Sequence, residues 1–405
     1  MDIGSILILG TILLAALLIP WSQGLMDRRK PFFITVFFLA IAFSARAYYF
    51  DFTSGDYNTF LVHWVDYYRH SGGFAALDTH VGNYNVPYHY FLAAFSHLDI
   101  NDLYLIKMVS VAFDVVLAFA VMKLTSVFTA SPNRRLAAYL GTLLLPTVLL
   151  NGAKWGQCDS IYVAFAALAL WLVLSNRPIA SMVCIALSFA FKLQAIFIMP
   201  LYLVLLFAKR VKIWHFVFFP LTYIALMLPA IFAGRPVKET LLFYLHHATS
   251  AGTGLNYNSP SVFALIKNPT SPSSAAAVGI AAAFIFVFAI FTWAWIKRKI
   301  LNNEALLLIG ILFSIGIPFL LPYMHDRYFF MADVLLLVPA LLYLGLIPIP
   351  ILCSAASLIC YYNYFKWGVD YIPLKYGAVA ILCALLLVII MTASHLNSHR
   401  YAELK

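Results

Sequence analysis

Charge is scarce in this chain. Only 10% of its 405 residues are Asp, Glu, Lys or Arg, against roughly a quarter in ordinary soluble proteins. With 63% apolar or aromatic residues and a mean hydropathy of +0.90, a water-soluble globule is excluded, as are a disordered tail and a fibrous repeat. Cysteine is sparse too. Four of Cys158, Cys184, Cys353, Cys360 and Cys383 lie in apolar runs, where the thiol acts as a small hydrophobe. No pair has C-x-x-C spacing, so no disulfide scaffold, metal site or redox site is indicated. G-x-x-x-x-G-K-[ST], G-x-G-x-x-G and H-E-x-x-H are all missing, which leaves no nucleotide-cradling loop. Acids are few, 16 against 26 Lys and Arg, and no basic loop offers the carboxylates a metal–pyrophosphate site needs. The net charge of +10 reads as basic loops beside a membrane rather than nucleic-acid binding.

What the chain has is apolar runs. They lie near 3–22, 31–50, 103–125, 136–151, 160–176, 179–191, 194–208, 213–233, 274–296, 304–321, 328–346, 347–364 and 372–392. A spanning helix takes about 20 residues, so these predict an all-α polytopic bundle of about 13 spans, some short enough to stop at a cavity. The first run lacks the basic start of a signal peptide. Basic clusters at 28–30, 134–135, 177, 209–212, 297–299 and the C-terminal tail fall in alternate loops. That side is expected to be cytoplasmic, with the N-terminus outside and the C-terminus inside. Long loops at 51–102, 151–159, 234–273, 322–327 and 365–371 face the other side. They and the adjoining helix ends hold cations that break the trend: Arg69, Lys107, Lys154, Lys192, Lys238, Lys267 and Arg327. Binding an anion there is one reason for them.

The first outer loop carries Asp51 and Asp56 directly after a span. Phe60, Trp64, Tyr67 and Tyr68 share a face at helical spacing, which predicts an interfacial helix. A second short helix is expected at 83–91, with Pro87 in its first turn. The carboxylates are either solvated acids in an aromatic belt or a general base at the mouth of a cavity. The turn 151–160 packs Lys154, Trp155, Gln157 and Asp159 together; it is either a plain connector or a polar site at membrane depth. Lys192 and Gln194 interrupt an apolar stretch; Lys192 either snorkels or reaches a cavity. His325 and Arg327 can hydrogen-bond a phosphate with Asp326 orienting them, or Asp326 and Arg327 pair locally. His246 and His247 are adjacent and point apart on a helix, so they do not suggest a metal site.

Taken in order, these motifs resemble those of GT-C polyprenyl-phosphate-sugar-dependent glycosyltransferases. The chain is similar to the dolichyl-phosphate-glucose glucosyltransferases of the N-glycan pathway and to bacterial proteins related to GPI mannosyltransferases. The residues carrying the likeness are Gly55-Asp56-Tyr57 with His63-Trp64, the stretch Asn83 to Tyr88, Trp155 to Ser160, Phe191-Lys192-Leu193-Gln194, and His325-Asp326-Arg327. The family's Pro-Pro is reduced here to Val86-Pro87. The resemblance implies an extra N-terminal helix over 1–30, a catalytic module over 31–330 and C-terminal helices over 331–405. It implies inverting transfer of a hexose, glucosyl or mannosyl, from a polyprenyl-phosphate donor to a lipid-linked or cell-envelope glycan on the outer face of a bacterial plasma membrane. Asp56 would be the general base, with Asp51 the alternative. Lys192, His325, Arg327 and Lys154 would hold the donor phosphate. His63, Trp64, Gln157, Asp159, Gln194 and Tyr88 would orient substrate. No metal and no cofactor is expected; the partners are the lipid donor, the glycan acceptor and membrane lipids. A lipid-linked-sugar flippase or transporter shares the span count, but internal repeats and mid-depth polar groups, which mark transporters, are not evident.

Overall fold

The apolar runs form helices because a backbone in lipid must satisfy its own hydrogen bonds. A computed structural model describes residues 2–248, 254–266, 271–366 and 371–403, with only the backbone described for 246–248 and 398–403. Lys267 and the side chains of His246 and His247 therefore lie outside the described residues. The chain is 77% helical. Among the described residues, 8 helices are long and apolar enough to cross a membrane: Ile3–Ser22, Arg29–Tyr48, Asp102–Ser126, Ile213–Phe232, Pro272–Ile296, Asn303–Leu320, Leu344–Phe365 and Leu374–Asn397. A further pair, Pro132–Leu144 and Pro146–Trp155, is bent by 44°. The bend follows from Pro146, whose ring pushes Leu145 out of the helical region to ψ 122°. Asp159–Leu174, Pro178–Phe191, Leu193–Phe207 and Phe330–Leu342 are shorter apolar helices. Long, bent and short helices together account for every apolar run read from the sequence.

Burial ranks the helices. Asn303–Leu320 and Asp102–Ser126 have 83% and 72% of their apolar windows enclosed, whereas Ile3–Ser22 has 17%. The first two are central and the third lies at the periphery. Asp102–Ser126 packs on Asp159–Leu174 and on Pro132–Leu144, and Asp159–Leu174 packs on Pro178–Phe191.

One buried ion pair ties four of these helices. Arg46 donates through Nη2 (2.9 Å) and Nε (3.1 Å) to Asp114 Oδ2, and both side chains are 0% exposed. Arg46 also donates to the carbonyl of Leu143 at 2.9 Å, while Asp114 Oδ1 accepts from Ser160 at 2.5 Å.

Polar contacts gather at the two ends of the bundle. At one end Lys123 meets Gln23, Arg210 meets Asn176 and Asn303, and His395 and Tyr343 meet Glu304. At the other end the first long loop folds over the helices. A π-helical turn, Tyr57–Leu61, runs into helix Val62–His70, followed by Gly73–Asp78 and Val86–Phe95. Asn85 caps the last of these and Pro87 stands in its first turn, as expected. Trp64 and Tyr68 form the buried face; Phe60 is exposed. Gly82 has φ +71°, and a Cβ there would come within 2.2 Å of the Trp64 ring, so only glycine lets this loop close over the indole. The two short strands, Asn256–Tyr257 and Met324–His325, pair in parallel and join two later loops at this same end.

Candidate active site

The loop that delivers Asp56 is held from below. Lys107 Nζ donates to the carbonyls of Tyr49 (2.7 Å), Phe50 (2.9 Å) and Phe52 (2.6 Å), which are left open where helix Arg29–Tyr48 ends. Ser54, buried, bonds the carbonyl of Trp155 at 2.7 Å and accepts from Tyr57 N at 3.1 Å. The Asp56 backbone N–H donates to Tyr364 Oη at 2.9 Å. The carboxylate is thus placed by contacts from three distant parts of the chain.

Asp56 Oδ2 accepts from Trp155 Nε1 (3.0 Å), Gln157 Nε2 (2.5 Å) and Arg327 Nη1 (2.9 Å). None of these three reaches Oδ1. The side chain is 24% exposed, so a substrate can reach it. Trp155 ends a second π-helical turn, Leu150–Trp155, Gln157 follows just after it, and Arg327 comes from the loop after strand Met324–His325. Gly156 closes the π turn at φ +77°, a left-handed cap that turns Gln157 and Asp159 toward the same side. Such π turns recur at functional sites. Tyr364 stacks on Trp155 with centroids 3.9 Å apart, and the Arg327 guanidinium lies 4.6 Å from the Trp155 ring centre on the cation–π scale of distances.

Behind Asp56 sits Asp159, buried. It pairs with Lys192, accepts from Asn151 Nδ2 at 2.7 Å and lies 3.7 Å from Arg327 Nε. Asp326 Oδ1 lies at the same distance from Arg327 Nε, and its other oxygen is 3.4 Å from Asn258 Nδ2. Arg327 therefore faces three carboxylates, which hold its pKa well above the usual value against the cost of burial. Burial, with Asp56 adding to it and Arg327 opposing, pushes Asp326 up to about 7. Burial, then Arg327 and Lys192, push His325 down to about 4. His325 is thus a neutral hydrogen-bonding group near pH 7 and not a third cation; it stacks on Tyr257 at 4.8 Å. Asn258 and Tyr323 adopt left-handed backbone at φ 58° and 64°, so both loops that frame Arg327 carry uncommon geometry.

A cavity of about 210 Å³ opens beside this cluster, lined by Tyr84, Lys192, Gln194, His325, Arg327 and Tyr328 among others. Tyr84 bonds Gln157 Oε1 at 2.7 Å, linking the cavity wall to the residue that holds Asp56. Of the residues singled out from the sequence, the structure brings together Asp56, Gln157, Asp159, Lys192, Gln194, His325 and Arg327. Others stand apart. Asp51 is exposed and bonded to Tyr104 at 2.5 Å. Lys154 sits among the rings of Phe365, Phe52 and Tyr49 at 4.2, 5.0 and 5.2 Å. His63 is exposed, while Trp64 and Tyr88 are packing residues against Tyr84. Two of the cations set against the charge trend are held by carbonyls. Lys107 closes the helix end, and Arg69 holds Asp102 and the carbonyls of Ser96, Leu98 and Ile100. Lys238 is exposed.

The sequence reading missed Tyr361, Tyr364, Asn151, Ser54 and Asn258. The aromatic run 361–365 at a helix end was the available signal.

The sequence model of glycosyltransferase family 87 matches residues 84–322, more than half of the chain. The chain belongs to glycosyltransferase family 87. The family fits the GT-C resemblance read from the motifs. The match takes in Tyr84, Trp155, Gln157, Asp159 and Lys192 of the cluster described above. Asp56, His325, Arg327 and Tyr364 lie beyond its limits. No curated protein matches the chain.

Proposed function

We propose that this glycosyltransferase moves a hexose, with inversion, from a polyprenyl-phosphate donor to a lipid-linked or cell-envelope glycan on the outer face of a plasma membrane, its C-terminus being cytoplasmic. The observation that carries the reading is the Asp56–Arg327 contact at the edge of the Lys192–His325–Arg327 cavity. Asp56 takes the proton of an acceptor hydroxyl. That oxygen bonds to the sugar's anomeric carbon from the face opposite the phosphate. The carbon–oxygen bond to phosphate breaks, and its electron pair leaves on polyprenyl phosphate. Lys192 and Arg327 meet the charge that develops there. Both keep donors in reserve, since each cation has more N–H groups than its carboxylate partners use. Among the described residues, Arg327 Nη2 makes no hydrogen bond. In this reading the lipid donor is a substrate, and neither cofactor nor metal enters.

The test is donor consumption by the purified full chain in detergent with a panel of polyprenyl-phosphate hexoses and an acceptor extract. Consumption of one donor, dependent on extract, is expected. No consumption of any lipid-phosphate sugar sinks the reading and favours transport.

The shift at Asp326 has a sign that can be measured. Its proton stays on in the folded site up to about pH 7. A bound phosphate adds negative charge beside Arg327 and favours that proton further, so donor binding takes up a proton. Donor KM is expected to rise about fivefold from pH 6 to pH 8 as Asp326 ionises. Asp326→Asn should flatten this dependence; an equally steep profile in the variant assigns the proton elsewhere. The same shift makes the contribution of Asp326 to stability full below the ordinary carboxylate range and lost as pH climbs through 7.

A further inference from the structure

A second cavity, about 460 Å³, opens at the same end of the molecule. Asp78, His80, Arg235, Glu239, Thr240 and Phe243 line it, and Phe243 also lines the cavity that holds Lys192 and Arg327. The two spaces therefore adjoin across one aromatic ring. Its volume is in the range of small-molecule sites.

Its inner wall is built around Arg235, which is only 5% exposed. One guanidinium nitrogen donates to the carbonyl of Thr79 at 2.7 Å and lies 3.3 Å from His80 Nδ1. Its Nε–H is buried and has no partner among the described residues. Tyr68 Oη and His89 Nδ1 are buried and unpartnered too. The Tyr68 and His89 rings lie 5.9 Å apart, and His80 and His89 lie 6.4 Å apart, so a buried polar layer lies behind the His80 and Arg235 that line the cavity. A buried donor left unmade costs about 1–3 kcal/mol in general, and of the three unpartnered residues Arg235 lines the cavity, where its guanidinium can meet an oxygen-bearing ligand. On the rim, Asp78 and Glu239 make neither a side-chain hydrogen bond nor an ion pair among the described residues.

The chemistry selects the ligand. Two carboxylates against one guanidinium disfavour a phosphate. They suit hydroxyl groups, which donate to carboxylates and accept from a guanidinium N–H. Phe243 offers an apolar face for a sugar's C–H bonds. We propose that this cavity is a neutral-carbohydrate subsite that holds a sugar of the acceptor glycan next to the transfer site. The inference rests on the transferase reading of the Asp56 cluster and adds the class and place of the acceptor.

Saturation-transfer NMR on the full chain in deuterated detergent tests it, with methyl α-mannopyranoside, methyl α-glucopyranoside and methyl phosphate as probes. One of the glycosides is expected to bind wild type, and to bind the Asp78→Asn/Glu239→Gln double variant at least about tenfold more weakly. Both positions are exposed, so this variant should keep the wild-type melting temperature. Asp56→Asn should keep glycoside binding, because the subsite lies apart from the base. Glycoside binding untouched by the double variant overturns the inference even if donor turnover depends on Asp56. Binding of methyl phosphate that Arg235→Gln abolishes overturns the neutral-sugar assignment. Loss of glycoside binding in the double variant, with no donor consumed by wild type, upholds the subsite and removes the transfer reading instead.

Discussion

Asp56→Asn is expected to lower turnover by about 10²–10⁴-fold, the usual contribution of a positioned general base. The amide has nearly the same shape. Its oxygen can still accept from Trp155 and Gln157, which bond Asp56 Oδ2 at 3.0 and 2.5 Å. What is lost is the charge facing Arg327 and the capacity to take a proton. The variant should therefore fold, and its donor KM should change far less than its kcat. Asp51→Asn is the matched comparison. Asp51 lies outside the cluster, bonded to Tyr104 on the exposed side, and its loss should leave turnover within about twofold. Donor consumption measured side by side decides the matter. An Asp56→Asn enzyme within tenfold of wild type, or an inactive Asp51→Asn enzyme, would falsify the assignment of the base.

The largest stability effect is expected at Arg46. Arg46→Met leaves the Asp114 carboxylate in the interior with Ser160 as its remaining partner. Breaking one side of a buried ion pair costs about 3–5 kcal/mol, because the charge left behind has neither water nor a counter-ion. Denaturant unfolding in micelles should register this loss, with turnover per folded molecule little changed. Removing both charges together, as Arg46→Met with Asp114→Leu, should restore most of the stability, since the desolvation penalty then disappears as well. A double variant as unstable as the single one would show that the contacts of Arg46 to the Leu143 and Ala42 carbonyls, rather than the pair, hold these helices.

Much of this was legible in the chain because polar residues are rare in it. Asp56, Gln157, Asp159, Lys192 and Arg327 stood out against apolar surroundings, and the structure gathers them. Other features gave no such contrast. Tyr361 and Tyr364 end an apolar helix, where aromatic residues also serve as ordinary interfacial anchors, so their place around Trp155 and Asn151 could not be distinguished. Lys107 and Arg69 looked like anion-binding cations, yet they satisfy backbone carbonyls, which no residue pattern displays. His63 and Trp64 are neighbours in one motif, but one step along a helix rotates a side chain by about 100°, and only Trp64 turns inward. Lys154 follows the same logic in a π-helical turn, whose phase the ordinary helical repeat does not give.

The site draws on Ser54 at one extreme and Tyr364 at the other, and this spread has a consequence for how the enzyme is made. Synthesis proceeds from the N-terminus at roughly 5–20 residues per second. Asp159 and Lys192 emerge close together and neutralise each other early, so neither waits in lipid as a lone charge. Arg327 and Tyr364 follow only after roughly ten to thirty seconds more. Until then Asp56 lacks both its guanidinium and the hydroxyl that fixes its backbone. If Asp56 is the base proposed above, a nascent chain in the membrane is inert as a glycosyltransferase for most of its time on the ribosome, and competence arrives in a single late step, when the penultimate apolar helix takes its place.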